Sequence, residues 1–153
     1  MYNKKEVLQK VDMLYNMWKE GSLGGEVMPE DANPHLDKSS VENYLYFTLP
    51  MALNYQRNSY KLWESALNTY NDKETNFVFN PKICINKTFE EVQYALVKYK
   101  VALQKQKQTE IWLFLCKTFV ELYDGDIRKL FDSLDNDVAV SYTHLRAHET
   151  VLD

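Results

Sequence analysis

The chain has 153 residues, of which 45% are hydrophobic and 14% aromatic, enough apolar matter for one packed domain. Its formal net charge of −4 speaks against a broad nucleic-acid-binding face, which needs clustered Lys and Arg, while leaving room for a local basic patch. There is no membrane-length apolar run, and the opening MYNKKEVLQK lacks the apolar core of a signal peptide, so the expectation is a soluble, cytoplasmic chain with no membrane partner.

In chain order, Lys4 to Glu20 sets Val7, Leu8, Val11, Leu14, Tyr15 and Trp18 on one stripe, opposite Lys5, Gln9, Asp12 and Asn16. This spacing predicts an amphipathic helix ended by Gly21. The following GSLGGEVMPEDANPHLDK holds three of the four glycines and two of the four prolines, and reads as a loop. Its Glu26, Glu30, Asp31 and His35 lack helical ligand spacing, so a solvated linker is expected rather than a metal site.

Ser39 to Tyr70 is the stretch around which the rest is organised. Val41, Tyr44, Leu45, Phe47, Leu49, Met51, Ala52 and Leu53 leave hardly any polar side, the pattern of a helix buried all round. Ser39 and Glu42 have capping-box spacing, which predicts a start near Ser40. Pro50 predicts a kink or restart, because it removes an amide donor. A polar corner follows, with Asn54, Gln56, Arg57 and Asn58. A second helix then resumes with Leu62, Trp63, Ala66, Leu67 and Tyr70 inward.

Around Asn80 and Pro81, two short apolar runs could form a hairpin. An extended connection is preferred, because Pro81 would break the ladder. Thr88 and Glu91 form a second capping box, opening a helix through Lys98 with Phe89, Val92, Ala95, Leu96 and Tyr99 inward. Lys98, Lys100, Lys105 and Lys107, with Gln104, Gln106 and Gln108 between, make the basic stretch of the chain, either a solvated connection or a phosphate contact. Thr109 to Tyr123 predicts a buried helix through Ile111, Trp112, Leu115, Phe119 and Leu122, terminated by Gly125. Asp126 can cap a last helix through Ile127, Leu130, Phe131 and Leu134.

The expected class is therefore all-α, with about six or seven helices in a single domain over residues 1–138. Cys84 and Cys116 sit in apolar contexts without CxxC spacing and read as free thiols. The text contains no Gly-rich phosphate loop, no HExxH and no GxSxG. No catalytic residue, metal or cofactor is expected from it.

The segment Val140 to Thr150, VSYTHLRAHET, resembles the in-register translation of a transposase-type sequencing adapter. Residues 139–153 are accordingly read as a non-native tail, and the domain before them as a truncated, incomplete bundle. The apparent ligand pair His144 and His148, with Glu149 beside it, is rejected on that ground.

From Val41 to Leu134, the helix order is similar to the amino-terminal part of the helix-hairpin-helix superfamily of DNA glycosylases. The residues that carry the resemblance are Leu53, Asn54, Tyr55 and Gln56, at the place of the family's L-S-x-Q segment. The later run TFEEVQYALVKYKVALQKQKQTEIWLFLCKTFVELYDGDIRKLFDSL resembles the family's next module of capped helix, short turn, long helix and "GGD…L" ending.

The resemblance implies a base-excision enzyme, or a nucleoside-processing relative, of which this chain holds a part. It implies that Gln56 enters the DNA stack beside the extruded nucleotide, with Arg57 and Asn58 on phosphate and Asn54 in the same corner. The family's glycine-containing hairpin, catalytic Asp and catalytic Lys have no counterpart before the adapter-like segment, so the chain alone is expected to be inactive. The alternative is a non-catalytic helical scaffold or protein-interaction domain whose Tyr- and Trp-rich faces bind a partner helix.

Overall fold

The computed structural model describes residues 3–23 and 27–133. Residues 134–153, and with them Leu134 and the adapter-like tail, lie outside the described residues. Among the described residues there are seven α-helices and no strand, so the all-α class holds.

The first helix, α1 (Lys4–Lys19), is capped by Asn3, whose side chain accepts from the Lys5 N–H. It ends as expected at Gly21, which takes a left-handed φ of 72° that costs a glycine little. No residue of α1 is buried.

The next helix, α2 (Val41–Thr48), starts at the expected place with a different cap. Ser40, not Ser39, accepts from the Asn43 N–H, while the Ser39 hydroxyl and N–H are both turned back onto the Asp37 carboxylate. Ser39 is held in the Asx-type turn one residue before the cap position, and Ser40, which donates to the Asp37 carbonyl and still accepts from Asn43, takes the cap in its place, so the Ser39–Glu42 box does not form. Pro50 ends α2 and opens a 3-10 turn, Pro50–Leu53. The stretch is not buried all round either: Leu45, Tyr46, Leu49 and Leu53 face the core, whereas Met51 and Ala52 face solvent.

Helix α3 (Ser59–Asn71) follows the polar corner and buries Leu62, Trp63, Ala66 and Thr69. Neither a hairpin nor an extended connection comes next. Asn76–Phe79 is a 3-10 turn and α4 (Pro81–Cys84) is one helical turn. Pro81 occupies the first helical position, where its missing N–H costs nothing, and the Asn80 side chain caps the N–H groups of Lys82 and Ile83. The proline that argued against a strand is thus the start of a helix.

Helix α5 (Phe89–Lys98) has the expected capping box, with Glu91 N–H to the Thr88 hydroxyl at 3.2 Å and Thr88 N–H to the Glu91 carboxylate at 2.8 Å. Helix α6 (Lys105–Tyr123) buries Thr109, Trp112, Cys116 and Phe119; Leu122, expected inward, is 54% exposed. Its end is a left-handed pair, Asp124 and Gly125, with the Gly125 N–H returning to the Phe119 carbonyl at 2.8 Å. Asp126 then accepts from the Arg128 N–H at the start of α7 (Arg128–Ser133).

The core is an aromatic stack. Tyr46 meets Phe79, Trp63 and Tyr70 at ring-centroid distances of 5.4, 5.7 and 5.6 Å, and Phe79 meets Trp112 edge-on at 5.7 Å. Two of its polar atoms are satisfied by backbone: the Trp112 indole N–H donates to the Val78 carbonyl, and the Tyr46 hydroxyl to the Ala32 carbonyl, at 2.9 and 3.0 Å. Burial raises the Tyr46 hydroxyl's pKa far above the ordinary tyrosine value. Cys84 and Cys116 are free and buried, and the hydrogen bond between their thiols together with burial pushes the Cys116 thiol up.

Candidate nucleic-acid interface

The polar corner lies between a turn that cannot continue as α-helix and a helix that starts afresh. Leu53 closes the 3-10 turn inside the core, and Asn58 opens α3 by accepting from the Lys61 N–H. Four residues, Asn54 to Arg57, bridge the two. The Asn54 amide donates to the Ser59 hydroxyl at 3.2 Å, fastening the start of the bridge to its end.

Gln56 takes a left-handed φ of 51°, a region where a residue with a Cβ pays roughly 1–2 kcal/mol. Its side chain is exposed, and its amide donates to the neighbouring Tyr55 hydroxyl at 3.1 Å. Tyr55 is itself 78% exposed. An amide and a phenol ring therefore stand together at the tip of the corner, facing solvent.

Arg57 does something the sequence did not announce. Its guanidinium donates to the carbonyl of Lys100 at 2.9 Å and to the carbonyl of Val101, both in the turn between α5 and α6. Burial lowers its pKa somewhat below the ordinary guanidinium value, though it stays charged at neutral pH. The receiving turn is also left-handed at Lys100, with φ 64°, and is closed by the Ala102 N–H returning to the Leu96 carbonyl at 2.9 Å.

The clamp brings together two segments more than forty residues apart, the amide corner and the Lys/Gln-rich turn. On the two helices that flank that turn the lysines differ. Lys98 is committed to Asp72 at 2.7 Å and Glu74 at 2.9 Å. Its hydrogen bond to Asp72, helped by those from the Glu74 N–H and the Tyr99 hydroxyl, holds the Asp72 carboxyl down at about 2, and the same pairing raises the Lys98 ammonium. Lys105 and Lys107 lie exposed on the first turn of α6. The Gln108 side-chain oxygen accepts from the N–H groups of Leu103 and Gln104, tying the first turn of α6 back to the connection before it.

Of the four residues singled out from sequence, Asn54 and Asn58 hold local backbone geometry, Arg57 ties the corner to the α5–α6 turn, and Gln56 stands exposed beside Tyr55. The residues that sequence reasoning missed are Tyr55, as Gln56's partner, and Lys100, as the acceptor of Arg57. The Tyr55–Gln56 adjacency was visible; the Arg57 pairing had no local signal. Among the described residues no three His, Cys, Asp or Glu side chains group as a metal site, and no helix is long and apolar enough to cross a membrane. No family model, no curated protein and no solved structure matches the chain.

Proposed function

We propose that this helical body is a DNA-engaging part of a helix-hairpin-helix-type base-excision glycosylase, with Gln56 as its probe of the base stack. The observation that carries the reading is the clamped corner. An exposed amide is held in a costly left-handed conformation by Asn54–Ser59 on one side and Arg57–Lys100 on the other. Backbone strain kept in place by surrounding contacts collects at functional positions. A planar amide with both donor and acceptor can satisfy the base left unpaired when its mate is extruded. Tyr55 offers a ring on which a base can stack, and Lys105 and Lys107 offer charge for phosphate in the neighbouring element.

The role assigned is recognition, and the strand-scission or base-release chemistry is not placed on any residue of this chain. The test is fluorescence anisotropy with duplex DNA carrying an abasic site opposite each base, against the unmodified duplex. The reading expects preference for the abasic duplex, abolished by Gln56→Ala with the fold intact. Equal affinity for both duplexes, or an unchanged preference in Gln56→Ala, would sink it. The exposed apolar stripe of α1 favours a second reading, a helical interaction domain that binds protein through that face. That reading expects no DNA affinity above what the lysines alone supply.

A further inference from the structure

An entire helix stands apart from the core with its apolar face uncovered. Val7, Leu8, Val11, Leu14, Tyr15 and Trp18 share one side of α1 and are between 44% and 68% exposed. Single exposed apolar residues are ordinary, but a continuous stripe marks a surface built to be covered. We propose that this stripe is a self-association surface, on which α1 of a second copy of the chain lies antiparallel.

Three observations select that occupant. The first is spacing. Lys4, Val7, Val11, Leu14 and Trp18 recur at alternating steps of three and four, the seam that pairs one helix with another, whereas Leu8 and Tyr15 widen it on one flank. The second is area. With 44% to 68% of each residue accessible, the six residues present on the order of 700 Å² per copy, so a pair that covers the whole stripe buries up to about 1,400 Å², which reaches the roughly 1,200–2,000 Å² of stable specific interfaces.

The third is charge. A parallel pair would set Lys4 against Lys4 at one end of the seam. An antiparallel pair centred on Val11 instead places each Lys4 ammonium beside the other copy's Trp18 ring, a favourable cation–π arrangement, and opposes the two helix dipoles. The polar side of α1 carries both signs, with Glu6 and Asp12 among Lys5, Lys10 and Lys19, so the helix offers no single-sign rim to an anionic lipid surface.

This proposal is independent of the role given to Gln56. Sedimentation equilibrium of the 153-residue chain across the micromolar range is the experiment. It is expected to show a monomer–dimer equilibrium whose dissociation constant rises at least about tenfold in Leu14→Glu, with the helical circular dichroism unchanged, while Gln9→Glu on the opposite face leaves it as it was. Under mild oxidation Val11→Cys is expected to cross-link between copies. Lys4→Cys is expected not to, because the two positions are about 21 Å apart along an antiparallel pair. The native thiols Cys84 and Cys116 are buried and do not confuse the readout. A chain that stays monomeric, a Leu14→Glu variant that associates as before, or a Lys4→Cys cross-link would each overturn the proposal. Binding of a monomer to anionic vesicles would overturn it equally, and reassign the stripe to a lipid surface.

Discussion

The Arg57 guanidinium grips the Lys100 carbonyl at 2.9 Å, joining the loop before α3 to the turn before α6. A charged hydrogen bond to a carbonyl is worth more than a neutral one, and removing the donor leaves the partly buried Val101 carbonyl unpaired. Arg57→Ala is therefore expected to cost about 1–3 kcal/mol in urea unfolding. Arg57→Lys should recover only part of this, because an ammonium lacks the two-pronged geometry that reaches both carbonyls. If Arg57→Ala unfolds at the same denaturant midpoint as the parent, the clamp contributes nothing.

Gln56 separates backbone strain from side-chain function. Gln56→Gly should raise stability by a few tenths of a kcal/mol to about 1 kcal/mol, since glycine takes φ 51° freely and gives back some of that in chain entropy. It should also lose the preference for an abasic duplex. Gln56→Asn keeps an amide and tolerates the left-handed region better than Gln, so it should retain both stability and part of the preference. The two variants are compared by thermal melts and by anisotropy.

For Lys105 and Lys107, replacement of both by Gln should weaken DNA binding about equally on modified and unmodified duplex. It should also flatten the dependence of log K on log salt by up to about 0.9 per lost contact. Titration in a salt series checks this. A change in preference without a change in slope would mean that the lysines read the lesion and not phosphate.

The Asp72–Lys98 pair makes a statement about acid stability. Asp72 titrates near 2 when folded against its ordinary 3.8, so its contribution is fully present above that ordinary value and is lost as pH falls towards 2. Lys98 is raised, so its part is fully present below its ordinary 10.5 and fades only as pH climbs past that value. Melting temperatures followed down from pH 4 should therefore drop more steeply in the parent than in Asp72→Asn, which has nothing there to protonate. Parallel curves for the two proteins would contradict the assignment.

Two buried tryptophans predict unequal losses. The Trp112 indole N–H donates to the Val78 carbonyl, whereas the Trp63 indole N–H, equally buried, has no partner among the described residues. Replacing either by Phe opens a small void, but only Trp112→Phe strands a buried carbonyl. It should cost about 1–3 kcal/mol more than Trp63→Phe in denaturant unfolding.

What the sequence made legible is what chain-local chemistry decides. The apolar stripe of α1 and its stop at Gly21, the Thr88–Glu91 box, the break at Pro50 and the close of α6 at Gly125 all appear at the expected positions, because each depends on residues within one or two turns. Where it misled, a residue had two possible local partners or a role fixed from far away. Ser39 had the spacing for a cap but an aspartate two residues before it, and Pro81 suited a helix start as well as a broken strand.

The geometry of the polar corner was legible to the same degree. Gln56 stood out by its amide-rich surroundings, yet Arg57 looked like a free cation until its partners, 43 and 44 residues later in the chain, were in view. No periodicity encodes a contact at that separation.

The last described helix reaches back to the first part of the core. Phe131 packs on Tyr44 with ring centroids 5.7 Å apart, Arg128 donates to the Ser39 carbonyl at 3.0 Å, and Ile127 and Leu130 are fully buried. A ribosome releasing this polypeptide must therefore deliver its hundred-and-thirty-first residue before the wall around Tyr44 is closed, and until then the nascent body shows water an aromatic flank. Proteolytic nicking in the 124–126 bend would reopen that same flank, and so offers a measure of how much of the molecule's cohesion waits on residues 127–131.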